Sequence, residues 1–438
     1  MAVDFRSAPG QEEPVRAEPV EALPHGRAAG PSTSSGRTGG PTAATAAPRA
    51  LRRFLCLDDF EPAARARLPR PLFGYVSGAT ETNASLRDNR AAFAEVAFLP
   101  RMLVNVARRE QSVELFGTRY ASPFGIAPMG ISSLTAYRGD LAQARAAAAA
   151  RVPMVLSSSS LIRMEEVLQQ APGTWFQAYL GRDPQATARL VERVKAAGAP
   201  VLVVTIDSAV VPNRENNVRN RFKTPLRPDL RLLWDGLTHP RWAVGTFLRT
   251  LLAHGMPHFE NVGAERGAPL VARDVTRDFS GREHLDWEAL KDIRRRWSGP
   301  LVLKGLLHPE DARLARAAGV DGVIVSNHGG RQLDGAVSPL RVLPQVAEAA
   351  GPMVVMADSG FRRGTDVLKA LAQGARAVLV GRPMNYAAAV GGEAGVAHAL
   401  ALLRAEIHAD MGLLGINRLD ELGPQHLYFP QIPRGDKR

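Results

Sequence analysis

One cysteine, Cys56, stands in 438 residues. No intrachain disulfide can form, so the fold does not depend on an oxidising compartment, and a zinc site built from cysteines is excluded. Aromatic residues make up only 6% of the chain. None interleave with the basic residues as a nucleic-acid stacking platform requires, so no nucleic-acid partner is expected. No run of about 18 apolar residues occurs, so no transmembrane helix is expected either. The N-terminus lacks the short apolar core of a secretory signal. The expectation is a cytoplasmic protein, with peripheral contact at the inner face of a membrane as its one membrane option.

What is present is a sizeable apolar fraction, 45%, enough for a large core. Lys and Arg number 55 against 43 Asp and Glu, a net charge of +12. That excess suits an anionic ligand, an anionic lipid or a nucleic acid, and cannot choose among them. Residues 1–50 differ from the rest. They are rich in Pro, Gly, Ser, Thr and Ala, with no large apolar residue between Leu23 and Leu51. Such a stretch cannot bury a core, and the expectation is a disordered, low-complexity segment ahead of one domain at 51–438. Acidic Asp4, Glu12 and Glu13 speak against a transit peptide.

From about residue 51, short β-rich apolar runs alternate with Ala/Leu/Arg-rich stretches of helical period. The runs are FGIAPMG (124–130), VPMVLSSS (152–159), TWFQAYL (174–180), VLVVTID (201–207), LVLKGL (301–306), GVIVSN (322–327), MVVMADSG (353–360) and AVLVGRP (377–383). Continuous apolar strands alternating with helices predict a parallel sheet covered on both faces, and eight such units close a barrel. The expected fold class is therefore α/β, a (β/α)8 TIM barrel. Residues 208–300, between the fourth and fifth runs, are too long for a loop and are expected to form an insertion over the active-site face. Within 214–250, eight Arg or Lys oppose three acids, a balance of +5. WAVGTFLRTLLAHG (242–255) has the pattern of an amphipathic helix. A lid over the site is the preferred reading, and a membrane-surface patch the sharper one.

In such a barrel the strand ends converge on one mouth. Here they carry Pro128-Met129-Gly130, Ser157-Ser158, Gln177 and Tyr179, Thr205 and Asp207, Lys304, His328 and Arg331, Asp358, and Gly381-Arg382. Any one of these is an ordinary polar residue leaving a strand; eight in a row are not. The glycines and arginines of DSGFRRGTD (358–366) and VGRP (380–383) suit a phosphate, which this barrel usually binds after strands seven and eight. Lys304 suits either a Schiff base, as in an aldolase, or charge compensation for a reduced cofactor. His328 is a base for neutral pH, Asp207 its natural partner, and Arg214 and Arg331 fit a carboxylate clamp.

SNHGGRQLD (326–334), LVLKG (301–305), DSGFRRGTDVLKAL (358–371), VGRP and FQAY (176–179) resemble the FMN-dependent L-2-hydroxy acid oxidising enzymes, over roughly residues 51–430. The resemblance implies that His328 removes the substrate proton, with Asp207 as partner and Tyr179 at the substrate. It places Arg214 and Arg331 around the carboxylate and Lys304 beside the flavin, with Tyr75 at the substrate if it substitutes for the family's tyrosine and no phenol there if it does not. It also places Pro128, Met129, Gly130, Ser157, Gln177, Thr205 and Ser326 against the flavin, and Asp358, Ser359, Gly360, Arg362, Gly381 and Arg382 at its ribityl phosphate. A homo-tetramer is the implied assembly, and a quinone or cytochrome the implied acceptor, with an oxygen-using oxidase or monooxygenase and a non-catalytic FMN-binding protein as alternatives. Three departures stand out. Gly74 takes the place of a substrate-contacting tyrosine counted back from SGA, with Tyr75 one residue later. Ser159 replaces a tryptophan of the plant oxidases. Met129-Gly130 replaces a small polar residue and an alanine, for a roomier pocket. PMGISSLTAYRGD (128–140) and THPRWAVG (238–245) are closer to the bacterial dehydrogenases. The purified protein should therefore be yellow and release FMN, not FAD, on denaturation; a colourless protein unable to take up added FMN would refute the resemblance.

Overall fold

A computed structural model describes residues 47–222, 230–271 and 282–430. The expectation of disorder for residues 1–50 thus falls almost wholly outside the described residues. Its last residues enter a 3₁₀ turn, Arg49–Leu51, that already buries Leu51.

Each of the eight apolar runs forms a strand: β1 Phe124–Ile126, β2 Val155–Ser157, β3 Trp175–Ala178, β4 Leu202–Thr205, β5 Leu301–Leu306, β6 Gly322–Val325, β7 Val354–Ala357 and β8 Ala377–Val380. All pair in parallel, β2 through β8 in sequence order and β8 back onto β1. A parallel bridge from Ile126 to Met154 joins β1 to the chain entering β2 and closes the ring. Because side chains alternate along a strand, each strand splits its residues between the lumen and the surrounding helices. Val203, Val302, Ile324, Met356 and Leu379 share the inner cluster, while Leu202, Leu303, Val323, Val355 and Val378 join the outer one. Continuing that count past the last apolar residue puts Thr205, Lys304, Ser326, Asp358 and Gly381 on the lumen side. The same sequence pattern that builds the core therefore aims the polar strand ends into one mouth.

At the other end, a hairpin of Val113–Leu115 and Thr118–Tyr120 plugs the barrel. Trp175, fully buried, donates from Nε1 to the Tyr120 hydroxyl at 3.1 Å and meets Phe116 edge-on at 5.5 Å. The last helix, Arg382–Leu414, is long and apolar enough by composition to cross a membrane. Alanines and glycines dilute its apolar character, so it shows no continuous apolar run in the sequence. It is a barrel helix nonetheless. Its backbone breaks at Gly392, and Met384, Tyr386, Val396, Leu400, Leu403 and Ile407 are buried in the outer core.

Between β4 and β5 lie helices Glu215–Arg219, Leu230–Thr238, Pro240–Trp242 and Arg249–His254, with a π-helical turn at Ala243–Leu248. Trp242 pins this segment down. Its indole stacks on Phe247 and donates to Leu134 O at 2.8 Å. The helix Trp287–Arg296, capped by Asp286 through Ala289 N, packs on the outer core through Leu290 and Ile293 and is the barrel's own helix before β5. The extra chain thus ends near 286 rather than at 300. Trp175→Ala should remove about 3–5 kcal/mol of stability by emptying the plug, without touching the mouth. A loss below about 1 kcal/mol in urea denaturation would show that the plug does not support the barrel.

Candidate active site

The lumen-side strand ends surround a cavity of about 640 Å³, within the usual range for a ligand site. Its most distorted wall follows β6. His328, Gly329 and Gly330 take φ values of 57°, 68° and 74°. Glycine enters that left-handed region freely, and histidine is among the side chains enriched there. Space demands glycine as well. A Cβ on Gly329 would lie 2.7 Å from Arg382 Nη1, and one on Gly330 would lie 2.7 Å from Leu86 N. The reversal turns the imidazole into the cavity.

His328 Nδ1 lies 2.9 Å from Asp207 Oδ1, and Nε2 lies 3.5 Å from the Tyr179 hydroxyl. In the neutral ring an Nδ1–H donated to Asp207 leaves the Nε2 lone pair facing the cavity. Burial pulls the imidazole below its ordinary pKa, against the opposing pull of the Asp207 carboxylate. Burial raises Asp207, but the His328 and Lys304 charges outweigh it and hold the carboxyl below its usual range. A bulge in β5 makes room for this carboxylate. Gly305 sits at φ 116°, and a Cβ there would come 2.6 Å from Asp207 Cβ.

Lys304 is buried, with Nζ 2.9 Å from Asp358 Oδ2 and donating to Ser326 Oγ at 2.9 Å. The same hydroxyl accepts from His328 N at 2.9 Å, so one serine ties the lysine to the histidine segment. Burial lowers the ammonium pKa, but the Asp358 and Asp207 carboxylates lift it above the ordinary lysine value. A lysine held charged is a poor nucleophile, which removes the Schiff-base reading.

Both expected clamp arginines line the cavity, with different engagements. Arg214 donates to Arg331 O at 3.1 Å and to Gln332 Oε1 at 2.7 Å, while Gln332 Nε2 donates to Asp207 O at 2.8 Å. Arg331 docks on the end of the helix Arg70–Ser77, through Tyr75 O at 2.6 Å and Gly78 O at 2.9 Å. Burial, then the neighbouring Arg331 guanidinium, lowers Arg214 to about 10 and Arg382 likewise to about 10. Cations that depress one another in a buried cleft mark a place for anions.

Of the neighbours Gly74 and Tyr75, it is Tyr75 that reaches the cavity. Its ring lines the cavity, packs against Phe222 at 4.3 Å and lies under Arg331. Gly74 faces the other side of the helix, where a Cβ would meet Asn220 Cγ at 2.4 Å. Pro128, Met129, Gly130, Ser157 and Thr205 form further wall. Gln177 lies behind it, accepting from Ser157 Oγ at 3.0 Å. Asp358, Ser359, Gly360, Arg362, Gly381 and Arg382 line the far end of the cavity.

These residues fit FMN on their own chemistry. Gln177 Nε2 and Arg362 Nη1 are buried donors without a partner, a costly condition that a ligand relieves. Gly381 precedes the helix starting at Arg382, and its missing side chain leaves the helix N-terminus open to the cavity, with nothing closer than 3.7 Å to a Cβ. An anionic phosphate suits that end. Among the described residues no group of three or more metal-binding side chains occurs.

Sequence reading missed four members of the site. Gln332, inside the SNHGGRQLD motif, links Arg214 to Asp207. Arg90 donates to Gly360 O at 2.6 Å and pairs with Asp366. Phe222 and Arg282 come from the insertion, and Arg282 lies 4.2 Å over the Tyr179 ring. No spacing could announce these two, because the insertion has no period tied to the barrel.

A sequence model of FMN-dependent dehydrogenases matches residues 64–429. The chain is 41% identical to an L-lactate dehydrogenase of Xanthomonas campestris pv. campestris (strain B100), over 83% of this chain and 94% of that protein. It is 40% identical to an (S)-mandelate dehydrogenase of Pseudomonas putida, over 85% and 93%. A crystal structure of (S)-mandelate dehydrogenase, described as a monotopic membrane protein, superposes with a TM-score of 0.77 at 37% identity, covering 86% of this chain and 99% of that one. The chain therefore belongs to the FMN-dependent dehydrogenases, enzymes that oxidise L-2-hydroxy acids.

Proposed function

We propose that His328 is the base of this dehydrogenase, that the substrate is an L-2-hydroxy acid with a side chain of lactate size or larger, and that the electrons leave to a quinone or another acceptor other than dioxygen, at a membrane surface. The observation that carries the first part is the Asp207–His328–Tyr179 line, with Nε2 as its cavity-facing end. FMN, when bound, accepts the electron pair released at the substrate carbon. His328 takes the proton, and Asp207, 2.9 Å away, stabilises the resulting imidazolium. Tyr179 orients the substrate hydroxyl, and Arg214 holds the carboxylate. Arg331 joins that clamp by leaving the carbonyls of Tyr75 and Gly78. Lys304 would hold the flavin edge with its fixed charge, Pro128 to Gly130, Ser157, Gln177 and Thr205 its ring, and Ser359, Gly360, Arg362, Gly381 and Arg382 its phosphate arm.

Two features support a larger side chain. Gly130 and Ser159 both line the cavity and pack closely on each other, a would-be Cβ on Gly130 falling 2.9 Å from Ser159 Cβ, and neither carries a side chain that reaches far into the cavity. Tyr75 and Phe222 supply an apolar wall of the same cavity.

The membrane reading rests on the insertion. Trp234, Leu237, Val244 and Leu252 are exposed there, and exposed Val210 and Val211 reach the cavity itself. A lipid-dissolved acceptor would meet the site along such an edge, and the homologous (S)-mandelate dehydrogenase is described as monotopic. Arginines along the segment suit anionic lipid. The protein should sediment with anionic vesicles, and Trp234→Glu with Leu237→Glu should release it. Equal recovery in the supernatant with and without vesicles would leave the insertion as a lid alone.

His328 must be neutral to accept a proton. Its pKa lies below the ordinary value, so the base is ready at neutral pH and turnover falls as pH drops through that lowered pKa. Asp207→Asn removes a raising influence, so the acid limb should move to lower pH while the maximal rate falls. His328→Asn should keep FMN and slow anaerobic flavin bleaching by at least about a hundredfold. Wild-type bleaching by that variant would assign the base elsewhere.

A further inference from the structure

The insertion rejoins the barrel beside the chemistry. Arg282 opens a 3₁₀ turn, Arg282–His284, and Leu285 N donates back to Arg282 O at 3.2 Å. Asp286 then caps the helix Trp287–Arg296, whose Leu290 and Ile293 are buried in the outer core, while Leu285 and Trp287 pack against that core. The backbone at 282 is thus tied to the barrel within a few residues, and its arginine is no wandering surface charge. The guanidinium lies 4.2 Å from the centre of the Tyr179 ring and forms part of the cavity wall. That distance is well inside the reach of a cation–π contact. The hydroxyl of the same ring lies 3.5 Å from His328 Nε2.

Tyr179 stands under opposing influences. Burial, then the Asp207 carboxylate, raises the phenol above its ordinary pKa and weakens it as a proton donor, while Lys304, Arg282 and Arg214 pull it back. Lys304 pairs with Asp358, and Arg214 donates to Arg331 O and Gln332 Oε1. Arg282 acts from the face of the ring, where a cation draws on the π electrons without competing for the hydroxyl.

Building on the placement of Tyr179 at the substrate hydroxyl, we propose that Arg282 is a positioning residue of the reaction. Stacked on Tyr179, it fixes the ring and strengthens the phenol as a hydrogen-bond donor to the substrate oxygen while the substrate proton passes to His328. Tyr179 keeps its own proton throughout. Its hydrogen bond tightens as negative charge gathers on the substrate oxygen, and a fixed cation on the ring favours that state over the resting one. Two simpler roles fit worse. A direct grip on the substrate carboxylate would duplicate Arg214 and Arg331 and leave the ring contact without a purpose. A purely structural pin has no reason to choose the ring beside the base.

Anaerobic rapid-mixing bleaching of the full-length, FMN-loaded protein, with L-lactate or (S)-mandelate at increasing concentration, separates the limiting rate from the apparent Kd. Arg282→Met keeps the length of the side chain and removes its charge. It should lower the limiting rate about tenfold, the scale of one desolvated cation–π contact, with the larger part of the loss in the rate rather than in Kd. Arg282→Lys should recover most of that loss. In the Tyr179→Phe background, Arg282→Met should change the rate less than about twofold, because the hydroxyl through which it acts is gone. Equal losses in both backgrounds would overturn the proposal and make Arg282 a structural pin. A raised Kd at unchanged limiting rate would also overturn it and make Arg282 a carboxylate ligand. Wild-type bleaching by Tyr179→Phe alone would sink it together with the role of Tyr179, leaving His328 to be judged by His328→Asn. If Arg282→Met fails to fold, Arg282→Gln in both backgrounds gives the same comparison.

Discussion

Everything in this molecule follows from alternation along a closed ring of eight short strands. Once the lumen is sealed, each strand has one inward row, and the row does not stop where the apolar residues do. In β5 the inward residues are Val302 and then Lys304; in β6, Ile324 and then Ser326; in β7, Met356 and then Asp358. The core and the site are successive layers of the same rows. A one-residue slip of any strand would move its polar end from the mouth into the shell of helices. The plug at the far end, where Trp175 rests on Tyr120 and Phe116, protects that register from below.

The second organising fact is an imbalance of charge. Arg214, Arg331, Arg282, Arg362, Arg382 and Lys304 line one cavity; the carboxylates Asp207 and Asp358 in it are already committed to His328 and Lys304, and Glu61 and Asp58 reach only Arg362, from outside it. Arg331 and Arg382 turn part of their donors onto the carbonyls of Val76, Gly78 and Gly329. Backbone carbonyls ease this crowding but do not neutralise it. A cofactor phosphate and a substrate carboxylate are the natural complement, and the binding of one lowers the cost of gathering cations for the other.

Most of the fold was legible because its signal is redundant. Eight apolar runs, each followed by a polar or glycine-rich end, repeat one statement eight times. The His328–Asp207 pair was legible for the same reason: both residues sit at fixed places in that repetition. What escaped reading lacked periodicity. Phe222 and Arg282 enter from an insertion whose residues answer to no strand. Which of the neighbours Gly74 and Tyr75 reaches the cavity was not legible either, since one residue on a helix is a turn of about 100°. That is enough to send Gly74 toward Asn220 and Tyr75 toward the cavity. Arg331 was correctly placed in the mouth, but no sequence shows which of several nearby oxygens a guanidinium selects. The far end of the insertion was set too late, because the helix before β5 looks from sequence like more of the same inserted chain.

The contact between Gly329 and Arg382 carries a consequence for how this chain can change over time. A side chain at position 329 would collide with the Arg382 guanidinium, and that guanidinium already bonds the carbonyl of residue 329 itself. Neither position can drift alone. Shortening residue 382 first would remove a cation from the end of the cavity that suits a phosphate, and enlarging residue 329 first would push that cation aside. The two sites, far apart along the chain, form a locked pair in which each substitution is harmful until the other has occurred. Variation in descendants of this sequence should accumulate around the pair and pass it by.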